Sequence, residues 1–140
     1  MILCILKPDA VERNLIGPIL ATLEAHGKLT YLQMRQLFPP EVEQLYKHHV
    51  GKDYWPRIAS FMVRGPSVLV VVENGNNDFE LQACARMIRT RYSRNSENPA
   101  ENIIHCSEYG QAITEISYLC PDFRWPHQRE LDGLETDSTI

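Results

Sequence analysis

Two short segments carry side chains that could transfer a phosphoryl group. Residues 102–107 read N-I-I-H-C-S, which places one imidazole, that of His105, in an apolar run. Near the amino terminus, an apolar run at residues 2–6 is followed directly by Lys7. A fixed cation can bind phosphates and a histidine can act as the nucleophile that accepts one. A lone histidine in an apolar segment is more often a packed core residue, so His105 by itself does not establish a function.

Further segments match one known family in order along the chain. The chain resembles a nucleoside diphosphate kinase, a family marked by a first strand ending in K-P-D and by an N-I-I-H-G-S-D segment. Here residues 7–9 are K-P-D and residues 102–108 are N-I-I-H-C-S-E. The other matching segments are residues 10–17, 46–54, 61–66 and 114–117. The likeness spans about residues 2–123, nearly the whole chain.

The elements that must position these residues follow from hydrophobic patterns. Strands are predicted at residues 2–6, 29–37, 67–72 and 103–104, and helices at residues 15–26, 41–49, 56–63, 77–91 and 111–120. This order favours an α+β sandwich with helices against one face of a sheet. The resemblance implies a ferredoxin-like βαββαβ sandwich, with a four-stranded antiparallel sheet and an inserted helical hairpin at residues 41–64.

Length and composition limit the organisation of the chain. With 140 residues, of which 44% are hydrophobic, the chain can bury one core. We expect a kinase-like domain at residues 1–123 and a C-terminal tail at residues 124–140, rich in acids and partly disordered. The apolar run at the amino terminus is too short for a membrane span or a secretory signal. We therefore expect no membrane association and a cytoplasmic location.

Charge and cysteine content restrict the partners. A formal net charge of −4 argues against a general nucleic-acid binder. Four arginines nevertheless fall in a stretch without acids, namely Arg86, Arg89, Arg91 and Arg94. A local anion site there and a solvated helix face are both compatible with the charges. Cysteines 4, 84, 106 and 120 show neither C-x-x-C nor zinc-ligand spacing, which indicates reduced, packed thiols.

The resemblance implies a role for each site residue. His105 would be the nucleophile, Glu115 the carboxylate that orients it, and Lys7 a cation near the transferring phosphoryl group. The implied nucleotide-binding residues are Lys7, Tyr46, Tyr54, Arg86, Arg89, Thr90 and Asn102. Tyr54 matches the aromatic residue on which the family stacks the base, and an aromatic surface accepts any base. The sequence has no glycine-rich phosphate loop, so side chains and Mg²⁺ would hold the phosphates.

Two departures from the family pattern concern the site. The family's segment between the last β-branched strand and Asn102, including its wrapping loop, is cut short here, so Arg86, Arg89 and Thr90 are matched on a remnant. Cys106 and Glu108 stand where the family has glycine and aspartate. A cysteine-histidine nucleophile is disfavoured because adjacent strand residues point to opposite faces. Metal binding by the adjacent His48 and His49 is disfavoured as well.

The resemblance implies a nucleoside diphosphate kinase. The γ-phosphoryl of a magnesium-bound nucleoside triphosphate would pass to His105, and then to a nucleoside diphosphate, in a ping-pong reaction through phosphohistidine. The partners would be nucleoside di- and triphosphates, and the protein would form a homo-oligomer. A catalytically degenerate nucleotide-binding or interaction module of the same fold is the alternative, which the shortened segment suggests. The presence of Lys7, Asn102, His105 and Glu115 favours the enzyme.

Overall fold

A four-stranded antiparallel sheet forms the centre of the molecule. The computed structural model describes residues 1–75 and 77–133. The strands are β1 (Ile2–Leu6), β2 (Lys28–Gln36), β3 (Pro66–Glu73) and β4 (Ile104–Cys106), in the spatial order β2-β3-β1-β4. Each neighbouring pair runs antiparallel. This order confirms the predicted ferredoxin-like α+β architecture.

The helices of the described chain connect these strands. They are α1 (Pro8–Glu12), α2 (Ile16–Glu24), α3 (Pro39–Leu45), α4 (Trp55–Met62), α5 (Asp78–Tyr92), α6 (Ala112–Leu119) and α7 (Pro126–Leu131). The pair α3 and α4 lies between β2 and β3, where the inserted hairpin was predicted. The sequence patterns did not predict α1, a five-residue helix that starts with a proline at its first position.

Helices cover both faces of the sheet, so the expectation of helices against one face is wrong. Ile2, Cys4 and Leu6 of β1 are buried in one cluster with residues of α2 and α5. Leu3 and Ile5 alternate with them and are buried in a second cluster with residues of α3, α4 and α6. A central strand that is apolar at every position needs a covering layer on each side. The second layer is the one that carries the candidate site.

The segment after residue 123 begins with a helix that the sequence patterns did not predict. Residues 126–131 form α7, and the Arg129 guanidinium donates two hydrogen bonds to the Glu73 carboxylate, at 2.8 and 3.0 Å. The Trp125 ring packs edge-on against that of Phe123, with centroids 5.0 Å apart. This part of the segment is therefore an ordered helix that packs on the sheet. Residues 134–140, to which the rest of the expectation applies, lie outside the described residues, and the boundary at residue 123 stays a prediction.

Across residues 1–75 and 77–133, none of the helices combines the length and the apolar character that crossing a membrane requires.

Candidate active site

The His105 imidazole is held by a carboxylate from the following helix. His105 is opposite Ile5 in the register of β1 and β4, and cross-strand partners share a face, so the ring points toward α6. Its Nε2 lies 2.8 Å from Oε1 of Glu115, and that oxygen also accepts a 2.8 Å hydrogen bond from the Ser107 hydroxyl. In the neutral ring, the nitrogen that faces the carboxylate carries the hydrogen, which leaves Nδ1 with a lone pair.

Lys7 is a buried cation at the end of β1. Its side chain is almost fully buried, and Nζ donates hydrogen bonds to Asn102 Oδ1 at 2.7 Å and to the Ala100 carbonyl at 2.8 Å. Burial, followed by repulsion from the nearby Arg89 guanidinium, lowers the Lys7 pKa to about 7. Lys7 and Asn102, each predicted to bind the nucleotide, are 95 residues apart in sequence and in direct contact in the structure.

A strained backbone position links Asn102 to His105. Ile103 adopts a positive φ of 78°, which is unfavourable for a β-branched residue. The conformation is supported from the β1–α1 junction, because the Ile103 N–H donates to Asp9 Oδ2 at 3.1 Å and its carbonyl accepts from the Lys7 N–H at 2.8 Å. The N-terminal K-P-D segment therefore fixes the backbone on which the amide and the imidazole are displayed.

The structure brings Arg89 into the site and leaves two neighbouring candidates outside it. Arg89 reaches from α5 to the open edge of β4, where Nε donates to the Ile104 carbonyl at 2.9 Å. It lines the same cleft as Lys7. Arg86 and Thr90 are exposed, and the Thr90 hydroxyl donates to the Arg86 carbonyl at 3.0 Å. Neither of the two is among the residues that line this cleft.

The cleft has a volume of about 430 Å³, and aromatic residues form one side of it. The Tyr46 ring lies 5.6 Å from Lys7 Nζ, and burial raises the Tyr46 pKa. Tyr54, the expected base platform, is not among the lining residues, whereas His49 is. The two are coupled, because the Tyr54 hydroxyl lies 2.7 Å from His49 Nδ1. The sequence motifs gave no indication that His49 belongs to the nucleotide site.

Metal binding by the protein alone is not indicated. Within the described residues there is no group of three or more His, Cys, Asp or Glu side chains placed to hold an ion. In the cleft, the Glu115 carboxylate is engaged by His105 and Ser107.

A buried ammonium, a guanidinium and an amide thus line one cleft with a histidine whose Nδ1 makes no hydrogen bond to the part of the chain that the structure describes. Cations and amide donors stabilise the charge that develops on phosphate oxygens. A histidine with one oriented nitrogen can take up a phosphoryl group on the other. The geometry therefore suits nucleophilic phosphoryl transfer.

Comparison with known proteins agrees with this chemistry. A family model described as nucleoside diphosphate kinase matches residues 2–124. The nucleoside diphosphate kinase of Actinobacillus pleuropneumoniae serotype 5b is 38% identical, with 84% of this chain and 91% of the relative covered. That of Sulfurisphaera tokodaii is 36% identical, with 74% of this chain and 76% of the relative covered.

Solved structures show the same fold. A crystal structure of the Aquifex aeolicus nucleoside diphosphate kinase matches with a TM-score of 0.70 at 25% identity, covering 84% of this chain and 92% of that one. The structure of a halophilic nucleoside diphosphate kinase from Halobacterium salinarum in complex with CDP also matches with a TM-score of 0.70, at 22% identity. The match covers 93% of this chain and 95% of that one. At that identity, the second likeness is one of fold.

Proposed function

Because this chain belongs to the nucleoside diphosphate kinase family, we propose that the cleft around His105 is its active site and that His105 carries the phosphoryl group between nucleotides. The family model and the named relatives confirm the predicted activity, that of a nucleoside diphosphate kinase. The observation that carries the assignment of the nucleophile is the 2.8 Å contact between His105 Nε2 and Glu115 Oε1. It leaves Nδ1 as the nitrogen that can react.

In the first half-reaction, the Nδ1 lone pair attacks the γ-phosphorus of the nucleoside triphosphate. The N–P bond forms as the bond between the γ-phosphorus and the bridging oxygen breaks, and the diphosphate leaves. The ring becomes positively charged, and the Glu115 carboxylate stabilises that charge because it accepts a hydrogen bond from Nε2–H. In the second half-reaction, a terminal oxygen of the incoming diphosphate attacks the phosphorus on His105. The O–P bond forms as the N–P bond breaks, the triphosphate leaves, and the neutral ring is restored.

The phosphate oxygens are stabilised by the buried polar groups of the cleft. We assign this role to Lys7, Arg89 and Asn102, because all three line the cleft together with His105. Lys7 and Asn102 are held by their mutual hydrogen bond, so they are oriented before a substrate binds. Arg86 and Thr90 have no part in this proposal, since they lie outside the cleft.

Magnesium is assigned to the substrate. Mg²⁺ in such sites is bound through phosphates and one or two carboxylates, with several waters, and needs no protein cage. The lining of the cleft fits this mode, because its carboxylates are those of Glu108 and Glu115, and Glu115 is engaged by His105 and Ser107. The nucleoside triphosphate would therefore enter the cleft as its Mg²⁺ complex. In the cleft the ion would neutralise charge on the phosphates.

Three exposed apolar side chains support a homo-oligomer. Leu32 and Met34 lie on the edge strand β2 and are 56% and 54% exposed, and the nearby Phe38 is 64% exposed. Large apolar side chains grouped at a sheet edge are typical of contact surfaces. We propose that this edge is covered by a second copy of the chain.

The four buried cysteines, which are free thiols, support a cytoplasmic location, because the cytoplasm keeps thiols reduced.

The test of the nucleophile is phosphoenzyme formation from γ-labelled ATP. Phosphohistidine is labile in acid and stable in base, whereas phosphoserine is not labile in acid. We expect acid-labile label on the protein, and its complete loss in His105→Ala. His127→Ala is the matched control, because His127 is exposed on α7, away from the cleft. Acid-labile label retained by His105→Ala would contradict the proposal.

A further inference from the structure

Two cysteines of neighbouring strands face each other behind the active histidine. Cys4 on β1 is directly opposite Cys106 on β4. In the adjacent pair, the Ser107 N–H donates a ladder hydrogen bond to the Leu3 carbonyl at 2.9 Å. Since hydrogen-bonded and non-hydrogen-bonded pairs alternate in an antiparallel ladder, Cys4 and Cys106 form a non-hydrogen-bonded pair. Side chains approach most closely at such positions.

This placement permits a disulfide without movement of the strands. The Cα atoms of a non-hydrogen-bonded pair are typically about 4.5 Å apart, and disulfides bridge Cα atoms about 4.4–6.8 Å apart. The two side chains lie on the same face of the sheet, since cross-strand partners share a face. Both belong to the core cluster on the α5 side of the sheet, opposite to the face that carries His105.

The two thiols differ in access and in acidity. Cys106 is 8% exposed and Cys4 is fully buried. Cys106 lines both the cleft and a neighbouring cavity of about 220 Å³, which also contains Arg86 and Arg89. The hydrogen bond from Cys4 and the charge of Arg89 lower the Cys106 pKa, whereas the hydrogen bond to Cys106 and burial raise that of Cys4. Reactive cysteines occur in partly accessible, electropositive surroundings of this kind.

The remaining cysteines lack this combination. Cys84 and Cys120 are each 2% exposed, and burial is the main cause that raises the pKa of both. Cys120 lies in the core cluster on the opposite face of the sheet from Cys106. Cys84 shares the cluster of Cys4 and Cys106 but comes from α5 rather than from a paired strand. The geometry therefore singles out one reactive thiol and one partner.

We propose that Cys106 and Cys4 form a peroxide-reactive pair, in which Cys106 is oxidised first and Cys4 resolves it to a disulfide. The Cys106 thiolate attacks one oxygen of hydrogen peroxide, the O–O bond breaks, and the leaving hydroxide takes up a proton, which yields a sulfenic acid and water. The Cys4 sulfur then attacks the Cys106 sulfur, the S–O bond breaks, and a second water leaves. Two thiols lose two electrons and the peroxide is reduced to two waters.

The resolving step protects the thiol next to the nucleophile. A sulfenic acid without a nearby thiol is oxidised further to sulfinic acid, which ordinary thiols do not reverse. With Cys4 in place, the oxidised form is a disulfide that cellular thiols can reduce. Cys106 stands where the family pattern resembled by this chain has glycine, so the pair belongs to this chain's own sequence.

Peptide mapping after peroxide treatment tests the pair. Trypsin leaves Cys106 and Cys120 in one peptide, 95–124, so the experiment uses the full chain with Cys120→Ser. The protein is treated with hydrogen peroxide, alkylated while unfolded, and digested without reductant. We expect peptide 1–13, which carries Cys4, to be linked to peptide 95–124, while peptide 65–86 with Cys84 is alkylated. Cys84→Ala in the same background should give an equal yield of the link.

A second arm separates the two roles. Cys4→Ala in the Cys120→Ser background should accumulate Cys106 sulfinic acid at least about tenfold above its parent, because no thiol traps the sulfenic acid. A link between peptides 65–86 and 95–124, or a Cys106 that stays a thiol when free cysteine is oxidised, would overturn the proposal. The link map requires no change at Cys4 and decides the matter even where Cys4→Ala fails to fold.

Discussion

Glu115 Oε1 accepts hydrogen bonds from two groups, His105 Nε2 and the Ser107 hydroxyl, each at 2.8 Å. The serine fixes the carboxylate, and the carboxylate fixes the imidazole. The three residues are brought together because β4 ends one residue before Ser107 and α6 packs back over the same face of the sheet. The orientation of the nucleophile is therefore set by the fold before a nucleotide binds.

Replacing Glu115 by glutamine should slow chemistry more than binding. The glutamine amide oxygen can still accept a hydrogen bond from Nε2–H. It lacks the negative charge with which the carboxylate stabilises the positively charged ring. Charge-assisted hydrogen bonds are worth about 1.5–3 kcal/mol, so we expect Glu115→Gln to lower kcat by at least about tenfold, with KM changed by less than about threefold. Rapid-quench measurement of His105 phosphorylation checks the step. A rise of about tenfold in KM with kcat unchanged would show instead that Glu115 acts in substrate binding.

The depressed pKa of Lys7 should appear in the pH profile. Phosphates favour the protonated ammonium, and with a pKa of about 7 the free enzyme loses that charge as pH rises through this value. We therefore expect kcat/KM to fall as pH rises above about 7, at saturating Mg²⁺. Bound nucleotide raises the Lys7 pKa, so the fall in kcat should lie at higher pH. Lys7→Met should lose the alkaline fall together with most activity, whereas a flat wild-type profile from about pH 6 to 9 would contradict this account.

Two of the three arginines of α5, Arg86 and Arg89, form a matched pair for a test of phosphate binding. Arg89 lines the cleft and Arg86 does not. Lysine replaces a planar guanidinium by a single ammonium and loses the bidentate geometry. We expect Arg89→Lys to lower kcat/KM by at least about tenfold, or about 1.4 kcal/mol, and Arg86→Lys to have a smaller effect. Steady-state kinetics decide between them, and a larger loss in Arg86→Lys would reverse the assignment.

The sequence was sufficient for the strands and insufficient for the layers. Three of the four strands follow from apolar runs bounded by proline, glycine or polar residues, and the second follows from partly alternating polar and apolar residues that end at two prolines. The covering of both faces was missed, although β1 and β3 are apolar at nearly every position and so require it. The helix α1 was missed because five residues are too few for a periodic signal. The ordered helix after residue 123 was missed because its packing depends on Glu73, far away in sequence.

The sequence likewise predicted some of the site residues and could not fix others. Lys7, Asn102, His105 and Glu115 were identified from motifs, and the structure places them in one cleft. Three further residues were matched to the family's nucleotide-binding positions but do not line the cleft, namely Thr90, Arg86 and Tyr54. The first two lie where the chain is shortened, so a motif match could not fix which residues of α5 reach the edge of β4. The contact of Asp9 with Ile103 spans 94 residues and leaves no local pattern.

The aromatic side of the cleft gives the last prediction. The Tyr54 hydroxyl contacts His49, which lines the cleft, and the two rings pack with centroids 5.6 Å apart. An aromatic surface that does not read base edges should support all bases alike. We expect Tyr54→Ala to raise KM for every nucleoside diphosphate by a similar factor, consistent with about 1–3 kcal/mol for an aromatic–base contact.

Tyr54→Phe separates the ring from its hydroxyl. If the ring supports the base directly, the phenylalanine variant should keep KM within about threefold of the wild type, since the stacking surface is retained. If the hydroxyl acts by holding His49, then Tyr54→Phe and His49→Ala should raise KM by comparable factors. Measurement of KM for one purine and one pyrimidine diphosphate on all three variants resolves the two routes. A loss confined to purines or to pyrimidines would show instead that this side of the cleft reads base edges.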